Sequence, residues 1–317
     1  MSPSPSPPDL PAWVHRTFAA ADDWFAAAPS PLNDRLERVR HRVARAQGGD
    51  SLRSALTSIA ATPFLAWTEA LRRDLDLPND GAIDHVGQGT LALYFYLRVQ
   101  DDMIDEPTSF DPSFAYVAEL FAGRSAEAFA RSGATPAFWA FRAKILTSLA
   151  AVSAWELDVY RSASSPEAPE RAMERLGHKL SPIAIPLAAC ASIARKEALF
   201  DDLERASVSV GGALQIVNDL FNARDDHAAG RLTPSLAALY EGGRVKPGDP
   251  PHRVWATLAS DPALDRMLTI ARAMTASAIA RLSSGATPAL REAIRAHASL
   301  LDEVPSRLLS LTLGVRR

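Results

Sequence analysis

The sequence predicts an all-α protein, and three observations carry that reading. Apolar residues recur at helical spacing (i, i+3, i+4, i+7) along nearly the whole chain. Ala, Leu and Arg, all good helix formers, are the commonest residues. No run alternates apolar and polar residues as a half-buried strand would, and no internal repeat is present.

The elements follow in order. Residues 1–11 are rich in Ser and Pro, without a basic n-region or apolar h-region, and read as a flexible tail rather than a signal peptide. Residues 12–317 then read as one domain. Helices are predicted over Trp13–Ala28 and Leu32–Gln47, parted by Pro29-Ser-Pro-Leu-Asn, and over Leu52–Arg73, closed by Pro78-Asn-Asp-Gly. Ile83–Asp105 is strongly apolar until its acidic end, and Pro107-Thr-Ser-Phe-Asp-Pro separates it from Ser113–Ala122. Pro136–Tyr160 ends before Ser164-Ser-Pro. Ala168–Ala194 carries Pro182 and Pro186 and should kink or break there, since proline lacks the N–H of the helix ladder. Glu197–Asp225, Leu236–Glu241 (closed by Gly242-Gly), Pro262–Arg281, Pro288–Ala296 and Pro305–Leu313 complete the set.

The chain has 317 residues, of which 47% are hydrophobic, so it can bury a sizeable core. A formal net charge of -3 argues against a nucleic-acid binder that relies on a basic face. Cys190 is the sole cysteine, so no intrachain disulfide forms, and its apolar surroundings mark it as packing. No segment reaches about 18 uninterrupted apolar residues, so no membrane insertion is expected and the location expected is cytoplasmic.

Two acidic clusters carry the chemistry. Asp101-Asp102-Met-Ile-Asp105 closes the apolar run from Leu91 to Val99. Asn218-Asp219-Leu-Phe-Asn222-Ala-Arg-Asp-Asp226 closes the run from Gly211 to Val217. Asp101 and Asp105 lie one turn apart, and Asn218, Asn222 and Asp226 fall at i, i+4 and i+8 on one helix face. Like charges this close call for cations or protons between them. Mg²⁺ prefers one or two carboxylates plus phosphate oxygens, so the pattern is apparatus for a diphosphate. Asn is also mildly unfavourable inside helices, which makes a pair of them more telling.

His178-Lys179-Leu-Ser, Gly212-Ala-Leu-Gln215-Ile-Val-Asn218-Asp219 and Gly230-Arg231-Leu-Thr-Pro234 resemble, in order, motifs of the trans-prenyl diphosphate synthases. The first acidic cluster looks like that family's Asp-Asp-x-x-Asp, and Gly48-Gly49-Asp50-Ser51-Leu52-Arg53 looks like its Gly-Gly-Lys-Arg-Leu-Arg. The resemblance implies a class I isoprenoid synthase fold, a helical bundle around a central cavity. It implies Mg²⁺ ions, about three, held by Asp101, Asp102 and Asp105 and by Asn218, Asp219, Asn222 and Asp226. It also implies that Lys179, Gln215 and Arg231 meet the diphosphate, and that the chain forms a homodimer.

Where the sequence departs from the family, it bears on function. The family's basic acceptor positions read Asp50 and Ser51, and Glu106-Pro-Thr-Ser-Phe110 follows Asp105 where two arginines are usual. A carboxylate repels a second diphosphate. The second motif is also similar to the Asn-x-x-x-Ser-x-x-x-Glu motif of class I terpene synthases. Arg171 and Arg175 lie roughly where those enzymes keep a diphosphate-sensing arginine, with solvated surface charge as the plainer reading, and Arg316-Arg317 reads as a basic lid or a frayed end. The expectation is therefore a Mg²⁺-dependent terpene cyclase with a prenyl diphosphate substrate. Its pocket candidates are Phe95, Tyr96, Leu97, Trp139, Trp155, Tyr160 and Phe221, which would supply apolar walls and, where aromatic, ring faces that stabilise a moving carbocation. The alternatives are a prenyltransferase and a non-catalytic partner subunit of a prenyl synthase.

Overall fold

The computed structural model describes residues 10–46, 63–105, 111–160, 169–282 and 287–312, and every regular element among them is helical. Gly48 to Arg53, Glu106 to Phe110 and Arg316-Arg317 lie outside the described residues, as do the side chains of Asp105 and Tyr160. The helices are α1 (Ala12–Ala27), α2 (Leu32–Ala46), α3 (Pro63–Asp74), α4 (Gly81–Asp105), α5 (Ser113–Arg131), α6 (Pro136–Tyr160), α7 (Pro169–Leu176), α8 (Ala184–Ile193), α9 (Phe200–Ala228), α10 (Pro234–Glu241), α11 (His252–Leu258), α12 (Pro262–Arg281), α13 (Pro288–Ala298) and α14 (Leu300–Thr312). Contacts divide the chain into two compact units: residues 1–139 with 185–197, and residues 140–184 with 198–317.

In the first unit α4 packs on α5 and α1. The core is aromatic: Phe95 stacks on Phe121 with ring centroids 4.9 Å apart, and Phe25 meets Phe95 edge-on at 5.6 Å. Trp13 is fully buried, and its indole N–H donates to Glu69 at 2.7 Å. A Cβ at Gly87 would collide with Trp13 and Thr17, so a glycine there lets α1 and α4 close up. Cys190 on α8 is wholly buried, and burial pushes its thiol up to about 12, in keeping with packing rather than reactivity.

The second unit is organised by α9, which packs on α12, α7, α10 and α11. Ile216, Leu220 and Ala223 of α9 join Leu236, Leu239, Met267, Leu268 and Leu308 in one core. A Cβ on either Gly177 or Gly211 would strike the other segment's backbone, so these glycines bring the turn after α7 against α9. That close approach sets Lys179 beside α9.

Several predicted boundaries move, each for a physical reason. The helix expected to stop at Ala122 runs on to Arg131, because Ser125, Ala128 and Phe129 continue its buried stripe and Gly123 faces open space. The left-handed Gly133 (φ 82) follows its end. The 168–194 segment breaks into α7, two 3₁₀ turns (Gly177–Lys179 and Ser181–Ile183) and α8. Pro182 sits in the second turn, while Pro186 falls in the first turn of α8, where an N–H has no helical acceptor. Helix α11 escaped the sequence reading because only Val254 and Leu258 mark its buried side. Helix α14 starts at Leu300, not Pro305: Leu301, Val304 and Leu308 keep one buried stripe while Pro305 points outward. Among the described residues no single helix is long and apolar enough to cross a membrane.

Candidate functional site

Each acidic cluster belongs to a different unit. In the second unit the site is built on the last four turns of α9. Asp219 is 2% exposed. Its Oδ1 accepts a hydrogen bond from the Gln215 amide at 2.8 Å, whereas its Oδ2 is buried with no partner. Burial, with the nearby charges of Asp226 and Glu156, pushes its carboxyl up to about 8 despite the Gln215 bond and Lys179. An acid so placed is protonated at neutral pH unless a cation arrives. An unpartnered buried carboxylate oxygen is also costly, and a cation is the kind of group that would satisfy it.

Asp226 is also buried and pairs with Arg231 at 2.9 Å. The backbone makes that pair. Arg231 N–H donates to the Asp226 carbonyl at 2.8 Å and Gly230 N–H to the His227 carbonyl at 3.1 Å, with Gly230 left-handed at φ 68. This Schellman cap turns the chain back so that Arg231 reaches its own helix end. His227 braces it: one ring nitrogen lies 2.6 Å from the Tyr240 hydroxyl and the other 2.6 Å from the Asp249 carbonyl. The carbonyl can only accept, so the ring donates there through Nε2.

Asn218 and Asn222 lie on the exposed edge of the same face, bonded to each other at 3.1 Å. Of this face Asp219 and Asp226 are buried, half-buried Gln215 lies one turn before Asp219, and Asn218 and Asn222 are exposed. Lys179 is held by Glu156 of α6, with its ammonium 2.8 Å from one carboxylate oxygen and 3.0 Å from the other. Glu156 was missed by sequence reasoning. Its only signal is that it follows Trp155 on a face whose Val152 is buried. Arg175 lays its guanidinium over the Trp155 ring at 4.6 Å, and Arg171 is exposed. Trp155 and Phe221 pack, half-buried, against the unit's core.

In the first unit Asp101 and Asp102 already have cationic neighbours. Arg98, one turn earlier on α4, reaches Asp101 at 2.9 Å and Asp102 at 3.1 Å, and Arg42 of α2 reaches Asp102 at 2.6 Å. Arg35, Arg38 and Arg42 share one face of α2 (i, i+3, i+7), where Arg35 donates to Ser113 at 2.5 Å and Arg38 lies over Phe114 at 5.6 Å. Sequence reading looked for basic residues beside the two glycines and after Asp105, which lie outside the described residues; helical periodicity brings other cations to the first cluster from α2 and from α4 itself. Phe95 lies in the aromatic core, Tyr96 and Leu97 are half-buried, and Trp139 meets Phe138 edge-on at 5.2 Å. Among the described residues no three His, Cys, Asp or Glu side chains converge to hold a metal by themselves. A cation that draws part of its shell from phosphate oxygens needs no such cage.

This helical architecture is that of the isoprenoid synthases. Geranylgeranyl pyrophosphate synthetase from the archaeon Geoglobus acetivorans superposes with a TM-score of 0.66 at 16% identity, over 93% of this chain and 99% of that one. A polyprenyl synthase from Caulobacter crescentus CB15, solved with calcium and isoprenyl diphosphate, gives 0.63 at 18% identity over 93% and 98%. Geranylgeranyl pyrophosphate synthase from Corynebacterium glutamicum, complexed with isoprenyl diphosphate and magnesium, gives 0.59 at 15% over 93% and 96%. No protein-family model matches the chain, and no curated protein matches it.

Proposed function

We propose that this chain is a Mg²⁺-dependent prenyltransferase that ionises an allylic prenyl diphosphate and passes the prenyl cation to an acceptor. The observation that carries the reading is the buried, unpartnered Oδ2 of Asp219, set among Gln215, Lys179 and Asp226. In the second unit Asp219 and Asp226, with Asn218 and Asn222 at the rim, would hold metal, and in the first unit Asp101 with Asp102 would do so. When bound, the metal supplies charge neutralisation for the leaving diphosphate. Lys179 and Arg231 would add cationic donors to its oxygens, Gln215 would fix the Asp219 carboxylate, and the apolar core behind α9 would keep water from the cation. The allylic C–O bond then breaks with its electron pair leaving on the diphosphate.

Transfer is preferred over cyclisation on two grounds. The similar structures carry synthase names, two of them with isoprenyl diphosphate bound. Arg42 and Arg98 also give the first cluster cations that a second anionic substrate could use. Cyclisation remains the second reading, favoured by Asp50 and Ser51. Incubation of the purified chain with geranyl, farnesyl or geranylgeranyl diphosphate and Mg²⁺, with and without isopentenyl diphosphate, separates them by product mass. Transfer predicts a longer diphosphate made only with the acceptor. Hydrocarbon or alcohol made without it would establish the cyclase instead, and no product from any substrate would overturn both.

A further inference from the structure

The Glu156–Lys179 pair is unexpected in a site meant for an anion. A carboxylate next to a diphosphate pocket repels the ligand, yet Glu156 puts both oxygens within 3.0 Å of the one ammonium whose task would be to hold that ligand. The two side chains are 23% and 20% exposed, so the pair is open enough for a ligand to reach and sheltered enough to feel little salt screening. Its geometry is fixed from both sides. Trp155, the preceding residue, packs on the core under the Arg175 guanidinium, and the Gly177–Gly211 contact pins the turn that carries Lys179. Glu156 has no part in the motifs read from the sequence, and with Asp219 and Asp226 it forms no group able to hold a metal.

We infer that Glu156 is a positioning residue that keeps the Lys179 ammonium in reserve, yields it to an arriving diphosphate, and so sets how tightly the diphosphate is held and how quickly it leaves. An incoming diphosphate carries more charge than one carboxylate and takes the ammonium. Glu156 is then left beside an anion without its partner, which lowers the ligand's residence. A rigid lysine without this counterion would bind diphosphate more tightly and release it more slowly. The inference rests on the reading that this half-site takes a diphosphate, and the experiment separates the two.

The probe is inorganic pyrophosphate with Mg²⁺, titrated calorimetrically into the wild type, Glu156→Gln, Lys179→Met and the double variant. The glutamine keeps shape and hydrogen bonding but removes the charge. Glu156→Gln should bind pyrophosphate about tenfold more tightly, a like-charge contact of ordinary size removed. Lys179→Met should bind more weakly, and adding Glu156→Gln to it should recover less than about threefold. In steady state both KM and kcat of Glu156→Gln should fall, the sign of slowed release, whereas a merely structural defect would lower kcat without tightening pyrophosphate. Wild-type or weaker affinity in Glu156→Gln, while the wild type itself binds, overturns the inference alone. No binding by the wild type overturns the diphosphate reading and the inference together. Should Glu156→Gln fail to fold, Glu156→Asp, which draws the carboxylate back by one methylene, must tighten binding in the same direction; unchanged or weaker binding overturns the inference.

Discussion

Replacing Asp219 with asparagine isolates the strain stored at the site. The Asp219 carboxyl is raised from the ordinary 3.8 to about 8, chiefly by burial. Between those values the folded chain holds a proton that the unfolded chain has released, so stability falls as pH rises through that window and levels off above about 8. At pH 7 the cost is about 4 kcal/mol, taking roughly 1.4 kcal/mol for each of about three pH steps. Asparagine cannot ionise, and its carbonyl can still accept the Gln215 bond. Its NH₂ takes the place of the unpartnered oxygen and costs about 1–3 kcal/mol unbonded. Asp219→Asn should therefore stabilise the metal-free chain at pH 7 by about 1–3 kcal/mol, a melting-temperature gain of roughly 2–5 °C for a chain of this length. At pH 4 the gain should vanish or reverse. Circular-dichroism melts from pH 4 to 8.5 in chelator read it directly. A difference that does not change with pH, or a variant less stable at pH 7 than at pH 4 relative to wild type, would refute the burial argument.

Asp101→Ala should lower turnover by at least about 100-fold while melting near the wild type, because the loss is of charge placed for the leaving group rather than of packing; steady-state kinetics beside a melt check it. His227→Phe strands the Tyr240 hydroxyl and the Asp249 carbonyl and should cost about 1–3 kcal/mol in urea denaturation, since both of its bonds are short and partly buried. Gly230→Ala forces a side chain into φ 68 and should cost about 1–2 kcal/mol by the same method, with pyrophosphate affinity falling as Arg231 is displaced.

Much of this was legible in the sequence because it depends on local chemistry. Helical periodicity and the two acidic helix ends are written at fixed spacing, and α4 and α6 lie close to where the pattern puts them. What was not legible depends on rotation and on distant partners. A shift of one residue, about 100° on the wheel, decides that Asp219 rather than Asn218 shares the buried face with Asp226. Arg42 reaches Asp102 from sixty residues away in sequence (102 minus 42), and Glu156 meets Lys179 across 23 positions. Neither pairing has a spacing rule. Pro305 and Gly123 misled for a related reason: a breaker outside the buried stripe does not stop a helix whose apolar side is paired.

Release of inorganic pyrophosphate from farnesyl or geranylgeranyl diphosphate, with isopentenyl diphosphate and Mg²⁺ present, bears most directly on the claim that α9 handles a departing diphosphate. The wild type should liberate it only with the divalent ion, and Asp219→Asn, though folded and more stable at neutral pH, should liberate almost none. Undiminished release by that variant, or none by the wild type at any prenyl length, would contradict the account.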